Sequence, residues 1–344
     1  MSKPQTTRPF QKILLVQTAF IGDVILATAL VEKLRFHYPT AQLDFLLRKG
    51  NESLFQNNPQ VNKVLIWDKK KKYRSLWQLI GAVRQQQYDA VICLQRFGSM
   101  GLLTALSGAR VRVGFDKNPF SWFFTNPIKH QQVGLHEVER NTQLVSWFTD
   151  EVVFKPKLYP PVIPAKLTIQ KPYLCLAPTS VWFTKQFHES KWIELIQALS
   201  AQYHLYLLGA PTDWEACERI RQAVPEKATQ VENVAGKLTL LESAALMQQA
   251  VLNFVNDSAP MHLASAVNAP TCAIFCSTVP EFGFGPLADF AKIVQVEEPL
   301  SCRPCGLHGK KACPEGHFRC SQDIQVQSLL HVLEQAQQLP NQEN

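Results

Sequence analysis

The chain has 344 residues, of which 46% are hydrophobic and 18% charged, and a formal net charge of +7. That length exceeds one ordinary domain of roughly 100–200 residues and predicts two. The composition excludes a disordered chain. A spanning helix needs roughly 20 apolar residues, whereas the run Val24–Leu30 is short and is followed by Glu32 and Lys33. Met1–Gln11 is polar and lacks the apolar core of a secretory signal, so the expected location is the cytoplasm.

The positive excess, with a pI near 8.9, suits an anionic small molecule, an anionic membrane surface or a nucleic acid. Its densest run is Lys69–Lys72, followed by Tyr73, Arg74 and Trp77. That run reads either as a solvated loop or as a patch touching anionic lipid or a phosphorylated acceptor. The other basic residues are scattered and no recognition motif accompanies them, so no nucleic-acid partner is expected.

In chain order, Lys12–Gln17 is an apolar strand and Thr18–Gly22 a loop. Asp23–His37 has helical spacing, with Ile25, Leu26, Ala29, Leu30 and Leu34 on one face. Strands Gln42–Leu47 and Val61–Trp67 follow, then a helix from about Leu76 to Gln87, then strands Ala90–Leu94 and Val111–Phe115. Asp150–Lys171 carries Pro156, Pro160, Pro161 and Pro164 and reads as a linker. A second series runs through strand Tyr173–Ala177, helix Ser190–Gln202, strand Leu205–Leu208 and helix Asp213–Val224. It continues with helix Leu240–Gln249, strand Leu252–Val255, helix Pro260–Val267 and strand Thr271–Phe275. A last helix, about Val326–Gln338, has the first domain as one surface on which it could pack. Continuous apolar strands alternating with helices predict α/β architecture with parallel sheets covered on both faces. Two Rossmann-like halves facing each other across a cleft are expected, with ligands at the carboxyl ends of the strands.

Three loops at such strand ends can carry chemistry. In VNDSAPMH, Asp257 or Ser258 can cap a helix and Pro260 fits its first turn. The resulting helix start is either simply well capped or a phosphate site. His262, one turn on, is equally consistent with a core histidine. In APTSVWFTKQFH, the hydroxyls of Thr179, Ser180 and Thr184 and the charge of Lys185 suit a diphosphate, and an exposed loop lysine is the plainer alternative. In TAFIGD, Gly22 gives a tight turn and Asp23 begins the helix. Asp23 is an N-cap, or an ionised base whose pKa the helix end holds down. Gly-x-Gly-x-x-Gly and Gly-x-x-x-x-Gly-Lys-Ser/Thr are both absent from the first loop, which disfavours a dehydrogenase and an NTPase. No carboxylate metal cluster or His-Glu-x-x-His is present, and no cofactor is expected.

Of nine cysteines, Cys93, Cys175, Cys217, Cys272 and Cys276 read as reduced core residues. Cys302-x2-Cys305-x7-Cys313-x6-Cys320, with His308 and His317 nearby, could hold zinc, form reversible disulfides or remain a reduced structural loop.

Together these segments resemble the lipopolysaccharide heptosyltransferases, glycosyltransferase family 9, over nearly the whole chain. KILLVQTAFIGDVILATALVEKLRFHYP is similar to the family's first strand, Gly-Asp loop and helix. GARVRVGF and HEVERN are similar to segments leading into its linker. APTSVWFTKQF resembles its Trp-x-Thr-Lys loop, and NDSAPMHLASAVNAPTCAIFCSTVP its donor helix and following turn. CRPCGLHGKKACPEGHFRC resembles the cysteine-rich tail of the heptosyltransferase II branch. The sequence departs from the family pattern at Ala259, at Gln186, Phe187 and His188, and at Cys276.

The resemblance implies a GT-B fold and inverting, metal-independent transfer of heptose from ADP-heptose to the inner core of lipopolysaccharide, beside the inner membrane. It implies Asp23 as base and Lys185 on the donor phosphates. It places Asp257, Ser258, Ala259 and His262 at the donor helix and Asp213 near the ribose. The implied domains are an acceptor-binding 1–160, a nucleotide-sugar-binding 161–325 and a C-terminal helix and tail 326–344. Two other readings fit the same loops: a GT-B enzyme using another nucleotide sugar, and a non-catalytic nucleotide- or lipid-binding scaffold.

Overall fold

A computed structural model describes residues 9–131, 133–162, 169–170, 172–199, 201–225 and 230–339. The chain divides into two compact units, Met1–Tyr159 and Pro160–Asn344. The middle of the expected linker and both polar tails lie outside the described residues, as do the side chains of Lys71, Lys72 and Tyr73.

The first unit runs β1 (Lys12–Val16), α1 (Ile21–His37), β2 (Gln42–Arg48), β3 (Lys63–Trp67), α2 (Lys72–Gln86) and β4 (Ala90–Cys93). It continues with α3 (Gly98–Leu106), β5 (Val111–Phe115), β6 (Asn126–Ile128) and α4 (Glu137–Gln143). Its six strands pair in the order β3-β2-β1-β4-β5-β6, every pair parallel. The inner strands are apolar because both of their faces are covered: Ile13, Leu14, Leu15 and Val16 are all buried.

Helix α1 is buried around most of its girth, Val24 through Val31 without a break, so the single apolar face expected from spacing is too narrow. Lys33, on the same helix, is fully buried and ion-paired with Asp150. It also donates to the Val152 carbonyl at 2.8 Å. The Lys157 N–H donates to Thr28 Oγ1 at 2.9 Å, and the Tyr159 hydroxyl donates to Glu32 Oε1 at 2.9 Å. Residues 150–159, expected to begin a free linker, are therefore laced along α1.

The second unit runs β7 (Tyr173–Ala177), α5 (Glu189–Ala198), β8 (His204–Leu207), α6 (Trp214–Gln222), β9 (Gln230–Asn233), α7 (Leu240–Gln248) and β10 (Leu252–Asn256). It ends with α8 (Ala259–Ala266), β11 (Thr271–Phe275), β12 (Ala291–Gln295), α9 (Arg319–Gln322) and α10 (Val326–Gln337). Its strand order is β12-β11-β10-β7-β8-β9, again parallel throughout. Leu329, Val332, Leu333 and Ala336 of α10 sit in this unit's own hydrophobic core with Trp192, Leu195 and Ile196 of α5. The apolar face of the last helix is thus used within the second unit, where the sequence had left the first domain open as its surface.

Both sheets reverse direction of winding once, between β1 and β4 and between β7 and β10. Each reversal opens a crevice beyond the carboxyl ends of the two central strands, the usual ligand position in such sheets.

Candidate active site

The first crevice is lined by the loops after β1 and β4. They are joined at their base, where Gln95 Nε2 donates to Gln17 Oε1, which also accepts the Ala19 N–H at 3.3 Å. Helix α1 starts at Ile21 with Phe20 as N-cap, two residues earlier than expected. Gly22 and Asp23 are therefore its second and third residues, and Gly22 has no left-handed backbone conformation. Asp23 is not the cap residue. Asp23 lies in the first turn, where the backbone N–H groups of Phe20 and of Asp23 itself favour its ionised form.

The electrostatics of Asp23 also differ from expectation. Burial raises its pKa, and that effect outweighs the two backbone N–H groups and the charges of Arg96 and Arg48, which all lower it. Asp23 is half-buried and keeps some surface exposure. Arg48 lies 4.9 Å from the Phe20 ring, and Lys69 Nζ donates to the Thr18 carbonyl at 2.9 Å. On α4, Glu137 is paired with Arg140 at 2.8 Å, and its pKa is raised by burial, with the Asp23 charge adding to the rise. The crevice thus holds a half-buried carboxylate under the charges of Arg48 and Arg96, with Lys69 bonded to the loop before it. Only Asp23 and Lys69 were singled out from sequence. The arginines carry no local motif, and only the parallel register brings the ends of β2 and β4 beside β1.

The second crevice is lined by the loops after β7 and β10. Lys185 Nζ and Asp257 Oδ2 form an ion pair at 2.7 Å. The Thr278 hydroxyl donates to the same oxygen at 2.6 Å. Asn256, the last residue of β10, holds the lysine loop in place. Its Oδ1 accepts the Phe187 N–H at 2.9 Å and its Nδ2 donates to the Pro178 carbonyl at 2.9 Å. Thr179 and Ser180 are half-buried on this loop.

Thr184 is buried, and its hydroxyl is engaged internally: Oγ1 accepts from the Lys310 N–H at 2.7 Å and from Ser277 Oγ at 3.0 Å. It braces the loop. Ser258 is the N-cap of α8, yet no side-chain bond caps the helix there. Its hydroxyl instead turns back to the Asn256 carbonyl at 3.4 Å. Ala259 and Pro260 open the helix, whose first N–H groups and dipole favour an anion, and His262 is buried on its next turn. Asp213, in the turn between β8 and α6, is bonded to its own turn rather than to these residues. Its Oδ2 accepts the Ala210 N–H at 2.8 Å and stabilises its own turn.

The second unit thus offers a lysine, loop hydroxyls and a helix start around one crevice, a set suited to phosphate oxygens. The sequence did not disclose the Lys185–Asp257–Thr278 arrangement, because three separate loops meet in it.

Among the described residues no helix is long and apolar enough to cross a membrane. The profile of Glycosyltransferase family 9 (heptosyltransferase) matches residues 76–316. Lipopolysaccharide heptosyltransferase 3 of Escherichia coli is 28% identical over 281 residues, covering 75% of this chain and 82% of the relative. Lipooligosaccharide heptosyltransferase 2 of Campylobacter jejuni is 26% identical over 335 residues, covering 95% of this chain and 98% of the relative. Among solved structures, that of E. coli ADP-heptose lps heptosyltransferase II superposes with a TM-score of 0.76 at 20% identity, covering 95% of this chain and 99% of that one. A glycosyltransferase family 9 protein of Veillonella parvula superposes with a TM-score of 0.82 at 18% identity, covering 96% and 98%. With a family profile matching well over half its length and two Rossmann-like units that share the fold of solved heptosyltransferases, the chain belongs to glycosyltransferase family 9, the heptosyltransferases.

Proposed function

We propose that this enzyme transfers heptose from ADP-heptose to the inner core of lipopolysaccharide, by inversion and with no divalent ion at the donor phosphates. The reading rests on one observation: the two switch-point crevices hold opposite chemistry, a carboxylate at Asp23 and an anion site at Lys185, Asp257 and Ser258. The first unit binds the acceptor and the second the nucleotide sugar. Asp23 takes the proton of an acceptor hydroxyl as its oxygen attacks the anomeric carbon. The bond to ADP breaks on the opposite face, so one displacement inverts the configuration. Lys185 exchanges Asp257 for the donor phosphates and stabilises the charge gathering on ADP, with Thr179, Ser180 and the start of α8 completing the site. Asp213 stands nearest a ribose role in sequence order.

The acceptor carries a lipid, which implies peripheral contact with the cytoplasmic face of the inner membrane. The exposure of Phe97, Trp122 and Phe123 in the first unit, with Arg96 and Lys117 exposed on the same segments of sequence, supports that contact.

The test is transfer from ADP-heptose to a heptose-deficient core acceptor, followed by mass and by the anomeric configuration of the product. Added magnesium is expected to leave the rate unchanged. If UDP- or GDP-sugars raise the melting temperature and ADP-heptose does not, the donor is another nucleotide sugar. If ADP-heptose binds without transfer or hydrolysis, the chain is a scaffold.

A further inference from the structure

Residues 296–318, between β12 and α9, form no helix or strand. Part of this segment is nevertheless fixed to the chain leaving β11, through the half-buried Arg303. Its Nε donates to the Cys276 carbonyl at 2.6 Å. One terminal nitrogen donates to the Thr278 carbonyl and to Gln295 Oε1, both at 2.7 Å, with a longer contact of 3.4 Å to the Phe275 carbonyl. The Cys305 N–H donates to the Ser277 carbonyl at 2.9 Å. The carbonyls of residues 275–278 therefore all accept from residues 303 and 305.

That turn needs such donors. Cys276, Ser277 and Thr278 are buried and lie beyond the end of the strand, where no ladder serves their carbonyls. A guanidinium presents its donors in a fixed planar fork and makes strong, charge-assisted bonds, so one arginine spans several carbonyls of a single turn.

Two hydroxyls on the turn face the lysine loop. The Thr278 hydroxyl donates to Asp257 Oδ2 at 2.6 Å, and the same oxygen pairs with Lys185 at 2.7 Å. Ser277 Oγ donates to Thr184 Oγ1 at 3.0 Å, beside that lysine in sequence. The turn thus grips the lysine from both its carboxylate partner and its own loop, and Arg303 grips the turn. None of the bonds of Arg303 goes to Lys185 or Asp257.

We propose that Arg303 is a positioning residue for Lys185: it sets the turn 275–278 so that Thr278 fixes Asp257 and Asp257 fixes the lysine. The part that Lys185 plays at the donor phosphates rests on the function proposed above. The positioning itself does not, so its first readout needs no donor.

The full chain is treated with limiting acetic anhydride, and the acetylation rate of each lysine is read by mass spectrometry. An amine held by a carboxylate must leave it to react. Arg303→Ala should raise the rate at Lys185 by about fivefold, the equilibrium factor for one ordinary hydrogen bond. Lys191, paired with Glu194 at 2.8 Å on α5, should react as in the wild type. Thr278→Val should give the same rise, and the double variant no more than either single one. Should Arg303→Ala not fold, Arg303→Lys keeps the stem and the charge but loses the fork, and it should also raise the Lys185 rate. In transfer, Arg303→Ala should lower kcat by about tenfold in the wild-type background and by less than about twofold in the Lys185→Ala background, because it acts through that lysine. A wild-type chain that transfers no heptose would count against the proposed function and leave the labelling result standing. Unchanged labelling of Lys185 in the arginine variants, equal rises at Lys185 and Lys191, or a loss of kcat that is the same in both backgrounds would each overturn the positioning role.

Discussion

Lys185 and Asp257 meet at 2.7 Å across two loops that leave neighbouring strands of the second sheet. The Thr278 hydroxyl fixes the shared carboxylate oxygen. The lysine is thus held in position before any donor arrives, and little rearrangement is needed to turn it onto a phosphate. Lys185→Ala should lower kcat/KM by roughly 10²–10³, the range found when one pre-placed electrostatic donor is removed. Steady-state kinetics against ADP-heptose check this, and a change of less than about threefold would remove Lys185 from the mechanism.

Asp23→Asn keeps the size of the side chain and removes the proposed base. Transfer should fall by roughly 10²–10⁴, the usual contribution of general-base catalysis. The rise in melting temperature caused by ADP-heptose should persist, since the donor loops belong to the second unit. Near-normal turnover would show that another group takes the proton.

The raised pKa of Asp23 has a signed consequence. A base at Asp23, as proposed, must be ionised, so kcat/KM should rise with pH through the Asp23 pKa and level off above it. That rise lies at higher pH than for an ordinary aspartate, because burial outweighs the lowering groups. Arg96 is one of those lowering groups, so Arg96→Gln should move the limb to still higher pH. An unmoved limb would mean that some other group titrates.

Asp44 is fully buried in β2 and accepts the Tyr88 hydroxyl at 2.5 Å and Gln42 Nε2 at 2.8 Å. Tyr88→Phe removes the first of these bonds from a buried acceptor and should cost about 2 kcal/mol of stability, within the penalty for leaving a buried polar group short of a partner. Denaturant unfolding measures it, and an unchanged midpoint would show that the Tyr88–Asp44 bond adds no net stability.

The central strands were legible in the sequence because burial on both faces leaves a nearly continuous apolar run, as in Tyr173–Ala177 and Thr271–Phe275. The edge strands β6, β9 and β12 were missed. Lys292 and Ile293 of β12 are exposed, and Asn126–Ile128 of β6 is partly so, and such strands carry no apolar signature. Helix α4 was also missed. Glu137–Gln143 lacks a helical stripe, and the helix is secured by a capping box between His136 and Glu139. The candidate site followed the same division. Asp23, Lys185 and Ser258 stand on local motifs, whereas Arg48, Arg96 and Thr278 reach the crevices only through strand register. The sign of the Asp23 shift could not be read locally either, because desolvation depends on what packs over the helix start.

The lacing of residues 150–159 along α1 sets where the first unit can be cut. A fragment ending at Thr149 would strip Lys33 of Asp150 and leave a buried ammonium group inside the helix that carries Asp23. A fragment ending after Tyr159 keeps the bonds to Lys33, Thr28 and Glu32. The first compact unit therefore extends past Pro156, the first proline of the apparent linker, and the ten residues before that boundary belong to α1 as its outer splint.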